Sequence, residues 1–214
     1  MLNAFKTLIK RRMLQLRNPK LSVGSRTAIV QSSFGRYVDI GSDATIVQSS
    51  IGDYSYIGPR TTVAWADVGR FCSIAPDVSV GSGSHPSRGT ISSHPAFYLN
   101  RPSRGWSFVS GDSREEFQRT CVGNDVWIGA KVVIRDGINI GSGAFIGAGA
   151  VVVKDVVPYG VYVGVPAKLM RLRFSEDIIE KLLSLNWWDK DENWLKENSN
   201  LFNNTEDFFE KFLR

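Results

Sequence analysis

The chain has 214 residues, and 43% of them are hydrophobic, which is ordinary for a folded domain with a core of reasonable size. No stretch approaches the roughly 18 apolar residues of a membrane-spanning helix. The formal net charge is +5, but residues 1–20 contain six Lys and Arg and no acidic residue, so the remainder is close to neutral and we expect no nucleic-acid partner.

The basic segment 1–20 has its apolar side chains at helical spacing over residues 2–17, which predicts an amphipathic helix that ends before Asn18-Pro19. Two roles stay open for this helix: a cap on the structure that follows, or contact with an anionic membrane surface. The segment lacks the apolar centre of a signal peptide. We therefore expect a cytoplasmic protein, either free or at the inner face of the membrane.

An aliphatic or aromatic residue recurs about every six positions in two stretches, 23–80 and 122–152. Glycine directly follows 11 of these 17 positions. The positions are Val23, Ile29, Phe34, Ile40, Ile46, Ile51, Ile57, Val63, Val68, Ile74, Val80, Val122, Ile128, Ile134, Ile140, Ile146 and Val152. A repeat of this kind indicates short strands joined by tight turns, three to a coil, stacked as a solenoid.

A second apolar column lies four residues after each position of the first. In a six-residue step this is two residues before the next position, so strand alternation places both columns on the inside of the coil. In the first stretch every third step loses one residue, which predicts 17-residue coils there and 18-residue coils later. Asp67 is the one exception in the second column, so we expect it to mark a turn or a kink. Cys72 occupies this column as a small buried hydrophobe.

The repeat stops between residues 81 and 121, a segment rich in Ser, Gly and Pro that holds both histidines, His85 and His94. A loop this long inside a compact fold is usually functional or disordered. Its aromatic residues (Phe97, Tyr98, Trp106 and Phe108) argue against disorder, because we expect them to bury apolar surface. The sequence therefore predicts an ordered loop that folds over another part of the protein.

The chain turns helical after residue 170. Ser175 is a predicted N-cap of a helix that runs to about Leu185, with its apolar residues on one face. Aromatic residues follow at helical spacing, which is typical of packing. We interpret residues 171–214 as a helical cover on the last coil or on a neighbouring subunit, with no chemistry of its own.

Seven motifs in order resemble the acetyl-CoA-dependent xenobiotic, or type B chloramphenicol, acetyltransferases and related O-acetyltransferases of surface sugars. They are VGRFCSI (68–74), GSHP (83–86), ISSHPAFY (91–98), VGNDVWIG (122–129), IGAG (146–149), VKD (153–155) and GVPAK (164–168). The resemblance covers about residues 21–190. It implies a left-handed parallel β-helix over residues 21–170, acetyl-CoA as co-substrate, and a homotrimer with each site between two subunits.

The chain has only two histidines, which limits the metal sites and the proton-transfer groups that it can supply. The γ-class carbonic anhydrases share this fold but bind zinc with three histidines, which this chain cannot supply, and the cysteines lack metal spacing; we expect no metal. By the resemblance, His85 is the general base for direct acetyl transfer, and the intact site argues against a β-helix that serves only as a scaffold. His94 is the weaker candidate. The sequence does not identify the group that orients His85.

The resemblance also assigns residues to acetyl-CoA. Trp127 matches the tryptophan beside the pantetheine arm, Ala130 and Ala148 match backbone contacts to its amides, and Lys154 and Lys168 match residues near the adenosine phosphates. Val153 departs from the threonine common in galactoside acetyltransferases. Tyr54 is a weak candidate for the acceptor pocket, and packing explains it nearly as well.

The predicted reaction is transfer of acetyl from acetyl-CoA to a hydroxyl of a sugar in capsule or O-antigen biosynthesis. Two alternatives share the same predicted catalytic residues: O-acetylation of a streptogramin- or chloramphenicol-type antibiotic, and N-acetylation of a nucleotide-linked amino sugar. The acceptor pocket separates them, and the sequence does not describe that pocket.

Overall fold

A computed structural model describes residues 18, 20–101 and 105–213. The predicted amphipathic helix over residues 2–17 lies outside the described residues. Both repeat stretches together form one parallel β-helix, in which the chain passes through three sheets in turn. The predicted coil of three strands is confirmed.

The three sheets are named A, B and C and are built from very short strands. Sheet A consists of β1 (Ser22–Val23), β4 (Asp39–Ile40), β7 (Tyr56–Ile57), β10 (Ser73–Ile74), β13 (Trp127–Ile128), β16 (Phe145–Ile146), β18 (Gly160–Val163) and β19 (Lys168–Leu172). Sheet B consists of β2 (Ala28–Val30), β5 (Thr45–Val47), β8 (Thr62–Ala64), β11 (Ser79–Val80), β14 (Val133–Ile134) and β17 (Val151–Val152). Sheet C consists of β3 (Ser33–Phe34), β6 (Ser50–Ile51), β9 (Ala66–Val68), β12 (Thr120–Val122) and β15 (Asn139–Ile140).

The register of the strands follows the predicted coil lengths. Ile40 pairs with Ile57 in the 17-residue coils, and Ile128 pairs with Ile146 in the 18-residue coils. Strand β10 pairs directly with β13, so the inserted loop leaves the stack uninterrupted. The inner columns form one continuous core in which Cys72 is fully buried; desolvation raises the pKa of its thiol to about 12.

The tight corner between sheets B and C corrects the expectation for Asp67. Because one residue is missing there, Ala66 takes the inward position and is fully buried. Asp67 points outward, accepts a 2.5 Å hydrogen bond from Ser50 and forms an ion pair with Arg119. Asp67 is therefore an ordinary outward strand residue, and the six-residue count failed only because it was carried across a five-residue step.

Three buried hydroxyl groups line the inside of one coil at its three corners. Ser49, Ser55 and Thr61 are each at most 4% exposed. Each hydroxyl accepts a hydrogen bond from a backbone N–H of the next coil, at 3.1 Å from Ala66, 2.9 Å from Cys72 and 3.1 Å from Val78. These hydroxyls satisfy donors that the apolar interior would otherwise leave unpaired.

The last coil closes the ladder of each sheet by a different contact. In sheet C, Val156 bridges to Ile140. In sheet B, the N–H of Ala167 donates to Val151 at 2.8 Å. In sheet A, β18 continues the parallel stack, and β19 then returns antiparallel to it.

Three helices follow the β-helix: α1 (Glu176–Leu185), α2 (Glu192–Asn198) and α3 (Thr205–Phe212). Ser175 is the N-cap residue, as predicted, although its side chain makes no capping hydrogen bond. The cover extends beyond the last coil. It packs on Tyr159 of the last coil but also runs back along one corner of the β-helix, where Trp187 contacts Phe71 at 5.1 Å between ring centroids.

A few contacts hold the described part of the loop after β11. Phe117 stacks on Trp65 of the β-helix at 5.1 Å, and a 3₁₀ helix spans Pro95–Phe97. Tyr98 is buried as expected, whereas Phe97 and Phe108 pair with each other and remain 55% and 73% exposed. The expectation that the loop aromatics all bury apolar surface is wrong for these two, because they lie on its outer side in the single chain.

Candidate active site

The imidazole of His85 is exposed on the loop that follows β11, and two contacts orient it. Its Nδ1 lies 2.9 Å from the backbone oxygen of Ser93 and 3.1 Å from the hydroxyl oxygen of Tyr98. A carbonyl oxygen only accepts, so Nδ1 carries a proton and donates it, and the Tyr98 hydroxyl can accept as well. In neutral His85 the lone pair is therefore on Nε2, the nitrogen a general base needs.

Tyr98 is the site residue that sequence reasoning missed. Only 3% of it is exposed, and its backbone oxygen accepts a 2.9 Å hydrogen bond from the N–H of Ser113. Burial, with a smaller effect of the nearby Glu116, raises the pKa of its phenol, so the hydroxyl stays neutral. Its place in the ISSHPAFY motif near His85 was the available signal, but an aromatic residue there reads equally well as packing.

His94 has a structural role. Its Nδ1 accepts a hydrogen bond from the N–H of Ala96 at 3.2 Å and so caps the short helix at Pro95. Its ring meets Trp106 edge-on at 5.1 Å. Because Nδ1 is used as an acceptor here, His94 lacks the orientation that His85 has, and it stays the weaker candidate.

Three of the predicted acetyl-CoA residues lie together on two adjacent coils. Trp127 is 39% exposed on the outer face of sheet A, where it pairs with Phe145. Ala130 and Ala148 sit at the following corner, and the oxygen of Ala130 accepts a hydrogen bond from Gly149 at 2.8 Å. A side chain on Gly129 would come within 2.6 Å of the Ala148 nitrogen, so the small residues let these coils approach closely.

The two predicted phosphate-binding lysines lie farther along the same end of the β-helix. Lys154 follows β17 and Lys168 begins β19, and both side chains are exposed. The hydrogen bonds of Val151 with Gly164 and Ala167 place their two segments side by side on neighbouring coils. Val153, at the position where a threonine is common, is half-buried and supplies no hydroxyl.

Tyr54 lies in a packed environment. Its ring stacks between Tyr37 and Phe71 at 4.9 and 4.8 Å, and its hydroxyl donates to Glu192 of α2 at 2.7 Å. Desolvation, followed by the effect of Glu192, raises its pKa to about 12. These contacts favour the packing interpretation that the sequence left open beside the acceptor pocket.

His85 and Trp127 lie on different faces of the single chain. His85 is on the loop that leaves sheet B toward sheet C, whereas Trp127 is in sheet A. Within the described part of the chain, no three His, Cys, Asp or Glu side chains lie together as a metal site would require. Among the same residues, no helix has the length and apolar content needed to span a membrane.

Comparison with known proteins supports the repeat and the resemblance. The bacterial transferase hexapeptide family, described by six repeats, matches residues 122–154. A chloramphenicol acetyltransferase from Escherichia coli is 47% identical over 102 residues, 46% of each chain. A probable macrolide acetyltransferase from Lysinibacillus sphaericus is 49% identical over 87 residues, 41% of this chain and 45% of the relative. The matches thus span about half the length of these relatives.

Solved structures share the fold over a larger part of the chain. AntD, an N-acyltransferase from Bacillus cereus crystallised with dTDP and 3-hydroxybutyryl-CoA, superposes with a TM-score of 0.55. It is 23% identical, and the superposition covers 78% of this chain and 90% of AntD. The predicted left-handed parallel β-helix is thereby confirmed as the fold class.

Proposed function

Since the chain is a β-helix built on the bacterial transferase hexapeptide repeat and resembles the acetyltransferases that share it, we propose that it transfers acetyl from acetyl-CoA to a hydroxyl group, with His85 as general base. The observation that carries this proposal is the orientation of His85. Its Nδ1 is held by Ser93 and Tyr98, which leaves Nε2 of an exposed imidazole free to accept a proton.

The proposed reaction is a direct transfer within a ternary complex. Nε2 of His85 takes the proton of the acceptor hydroxyl as its oxygen attacks the thioester carbonyl. The new carbon–oxygen bond forms, the carbon–sulfur bond breaks, and the proton on His85 passes to the departing CoA thiolate. Ser93 and Tyr98 accept from Nδ1–H throughout, so the ring keeps its position while its charge changes.

The cofactor is proposed to lie along the exposed face and corner formed by Trp127, Ala130 and Ala148, with Lys154 and Lys168 at its phosphate end. The indole offers an apolar flat surface to the pantetheine arm. Small residues allow its amides to reach the backbone. The two exposed lysines supply positive charge for a polyanion.

We propose that each site is completed by a second copy of the chain in a homotrimer. Within one chain, His85 lies on the loop after sheet B and Trp127 on sheet A. A neighbouring subunit can bring the two faces together. The exposed apolar side chains at the same end, including Val133 and Trp127, fit a surface that another subunit covers.

Two acceptors are proposed. The first is a sugar hydroxyl in a surface polysaccharide, as the resemblance implies. The second is a hydroxyl of an antibiotic, and the named relatives favour it, since they include chloramphenicol and macrolide acetyltransferases. Release of CoA thiol in the presence of each acceptor class separates the two.

Replacement of the base tests the mechanism. We expect His85→Ala to lower turnover about 10²- to 10⁴-fold while acetyl-CoA still binds, because only proton removal is lost. His94→Asn is the matched control: asparagine is also a good N-cap, so it keeps the capping bond and the rate should hold. An unchanged rate in His85→Ala would remove His85 from the reaction.

Mixed oligomers test the shared site. His85→Ala and Trp127→Ala homotrimers should both be impaired, but co-assembled chains should regain activity. Random assembly pairs an intact His85 with an intact Trp127 in about a quarter of the sites if adjacent subunits supply them. If the mixture is no more active than the two variants measured separately, each subunit contains its own complete site, and the intersubunit proposal fails.

A further inference from the structure

The inserted loop leaves the β-helix after β11 and returns at β12, and its two ends meet at one buried side chain, Asp136. Asp136 follows β14 in the neighbouring coil and is only 2% exposed. Its Oδ2 accepts hydrogen bonds from the hydroxyl of Ser84 at 3.2 Å and from the backbone N–H of Gln118 at 3.3 Å. One carboxylate oxygen of the β-helix therefore connects the outgoing and the returning end of the loop.

The outgoing end carries the proposed base. Ser84 directly precedes His85 and is held through two of its atoms. Its hydroxyl donates to Asp136, and its backbone N–H donates to the backbone oxygen of Glu116 at 3.2 Å. The position of His85 relative to the β-helix therefore depends on the residue beside it, which Asp136 holds.

The returning end has further contacts with the β-helix. Phe117 stacks on Trp65 at 5.1 Å, and the backbone oxygen of Gln118 accepts a hydrogen bond from the N–H of Gly137 at 3.2 Å. Gly83 has a φ of +79°, and a Cβ on it would lie 2.7 Å from the Phe117 ring, so the outgoing end packs closely on the returning one. Loss of the Asp136 carboxylate would therefore mainly loosen the outgoing end.

We propose that Asp136 is a positioning residue for His85, which acts through Ser84 and not on the acceptor. This inference rests on the proposed function, since it takes His85 as the base. An unpaired buried carboxylate is costly, so the carboxylate and its two loop donors hold each other in place. A misplacement of about 1 Å at a reacting group can lower a rate about 10²-fold.

Substitutions at the two ends of this contact test the proposal by steady-state kinetics. Asp136→Ala should lower kcat about ten- to a hundredfold and leave the KM for acetyl-CoA unchanged, because Asp136 is outside the proposed cofactor face. Asp136→Asn keeps an acceptor oxygen and should stay within about threefold of the wild-type kcat. Ser84→Ala should lower kcat without opening the core. Ser82→Ala is its matched control and should keep the rate, because the Ser82 hydroxyl pairs with that of Ser79 at 2.6 Å.

A second measurement is independent of acetyl transfer. The chain has two histidines, and nitrogen NMR of their rings at a pH at which both are neutral reports which nitrogen carries the proton. In the wild-type protein His85 should be protonated at Nδ1 and His94 at Nε2, because Nδ1 donates in the first ring and accepts in the second. Asp136→Ala and Ser84→Ala should give a mixture of both tautomers for His85 and leave His94, the internal reference, unchanged.

Two results would overturn the proposal: the tautomer of His85 is unchanged in both Asp136→Ala and Ser84→Ala, or Asp136→Asn is as impaired as Asp136→Ala. Failure of the proposed function gives a different result, since His85→Ala would then retain its turnover. The tautomer of His85 in the Asp136 and Ser84 variants would still show whether this contact positions the ring.

Discussion

The orientation of His85 depends on single atoms of the loop. A backbone oxygen and a phenol oxygen hold Nδ1, and both contacts leave Nε2, the proposed base, without a partner among the described residues in this arrangement. Tyr98 is in turn buried and neutral. We infer that Tyr98 is a positioning residue, since it acts on the imidazole and not on the acceptor.

Removing the hydroxyl of Tyr98 tests this role. Tyr98→Phe leaves the ring packing in place and deletes one acceptor for Nδ1–H, so kcat should fall about three- to tenfold. The KM for acetyl-CoA should be unchanged, because Tyr98 is outside the proposed cofactor face. Steady-state kinetics against Tyr37→Phe, an exposed tyrosine on a distant corner, provide the comparison. A fall in kcat that is matched in Tyr37→Phe, or a change in KM alone, would contradict the role.

At the residue scale the sequence indicated His85 as a candidate but did not indicate its contacts. His85 stood out because it belongs to a short motif and only two histidines exist. Its contacts to Ser93 and Tyr98 arise from the path of an irregular loop, which no periodicity describes. The same reason explains why the exposure of Phe97 and Phe108 was wrongly predicted.

The individual coil is the element whose structure was most predictable. The alternation of inward and outward residues fixes the register of every strand, so 17- and 18-residue coils could be counted from the sequence. The failure at Asp67 was local. In a corner shortened by one residue the inward position moves to Ala66, and a fixed six-residue count does not follow this move.

The buried hydroxyls of one coil give a stability prediction. Ser55 donates to Gly69 at 2.8 Å and accepts from the N–H of Cys72, so Ser55→Ala leaves both backbone groups unpaired in the core. The free energy of unfolding should fall by about 1–3 kcal/mol. Urea unfolding followed by circular dichroism measures it. Ser33→Ala, on the exposed face of β3, is the control and should change stability by less than about 0.5 kcal/mol.

The helical cover was predictable as an element but not in its placement. The sequence showed an amphipathic helix after Ser175 and aromatic residues beyond it. An apolar helix face, however, does not indicate which surface it packs against. In the structure, the cover packs against a stack of three rings at one corner of the β-helix: Tyr37, Tyr54 and Phe71. Tyr54 was considered for the acceptor pocket because a flank of a coil and a pocket wall look alike in sequence.

The stability of the whole molecule should decline in alkali, and Tyr159 is one of three groups, with Tyr54 and Cys72, whose raised pKa contributes to this decline. Burial first, and Asp125 next, raise the pKa of Tyr159 to about 12, whereas the unfolded chain loses this proton near pH 10. Between these values the unfolded state binds fewer protons than the native state, so the free energy of unfolding falls as pH rises, by up to about 1.4 kcal/mol per pH unit.

Urea unfolding at pH 9, 10 and 11 measures this decline. Tyr159→Phe has no proton to lose, so its stability should fall less steeply with pH than that of the wild-type chain. Tyr56→Phe, whose ring is 47% exposed, should follow the wild-type slope. Equal slopes for Tyr159→Phe and wild type would show that Tyr159 does not contribute.

The closure of the last coil matters for the protein in concentrated solution. A stack of parallel strands that simply stopped would present three rows of free N–H and C=O groups, each a template for strands of other molecules. At this end the chain from Val156 to β19 occupies all three rows, and the final strand reverses direction. A further coil in parallel register is therefore disfavoured at this end, since in sheet A it would have to pair with β19, which runs antiparallel and carries Lys168 and Arg171.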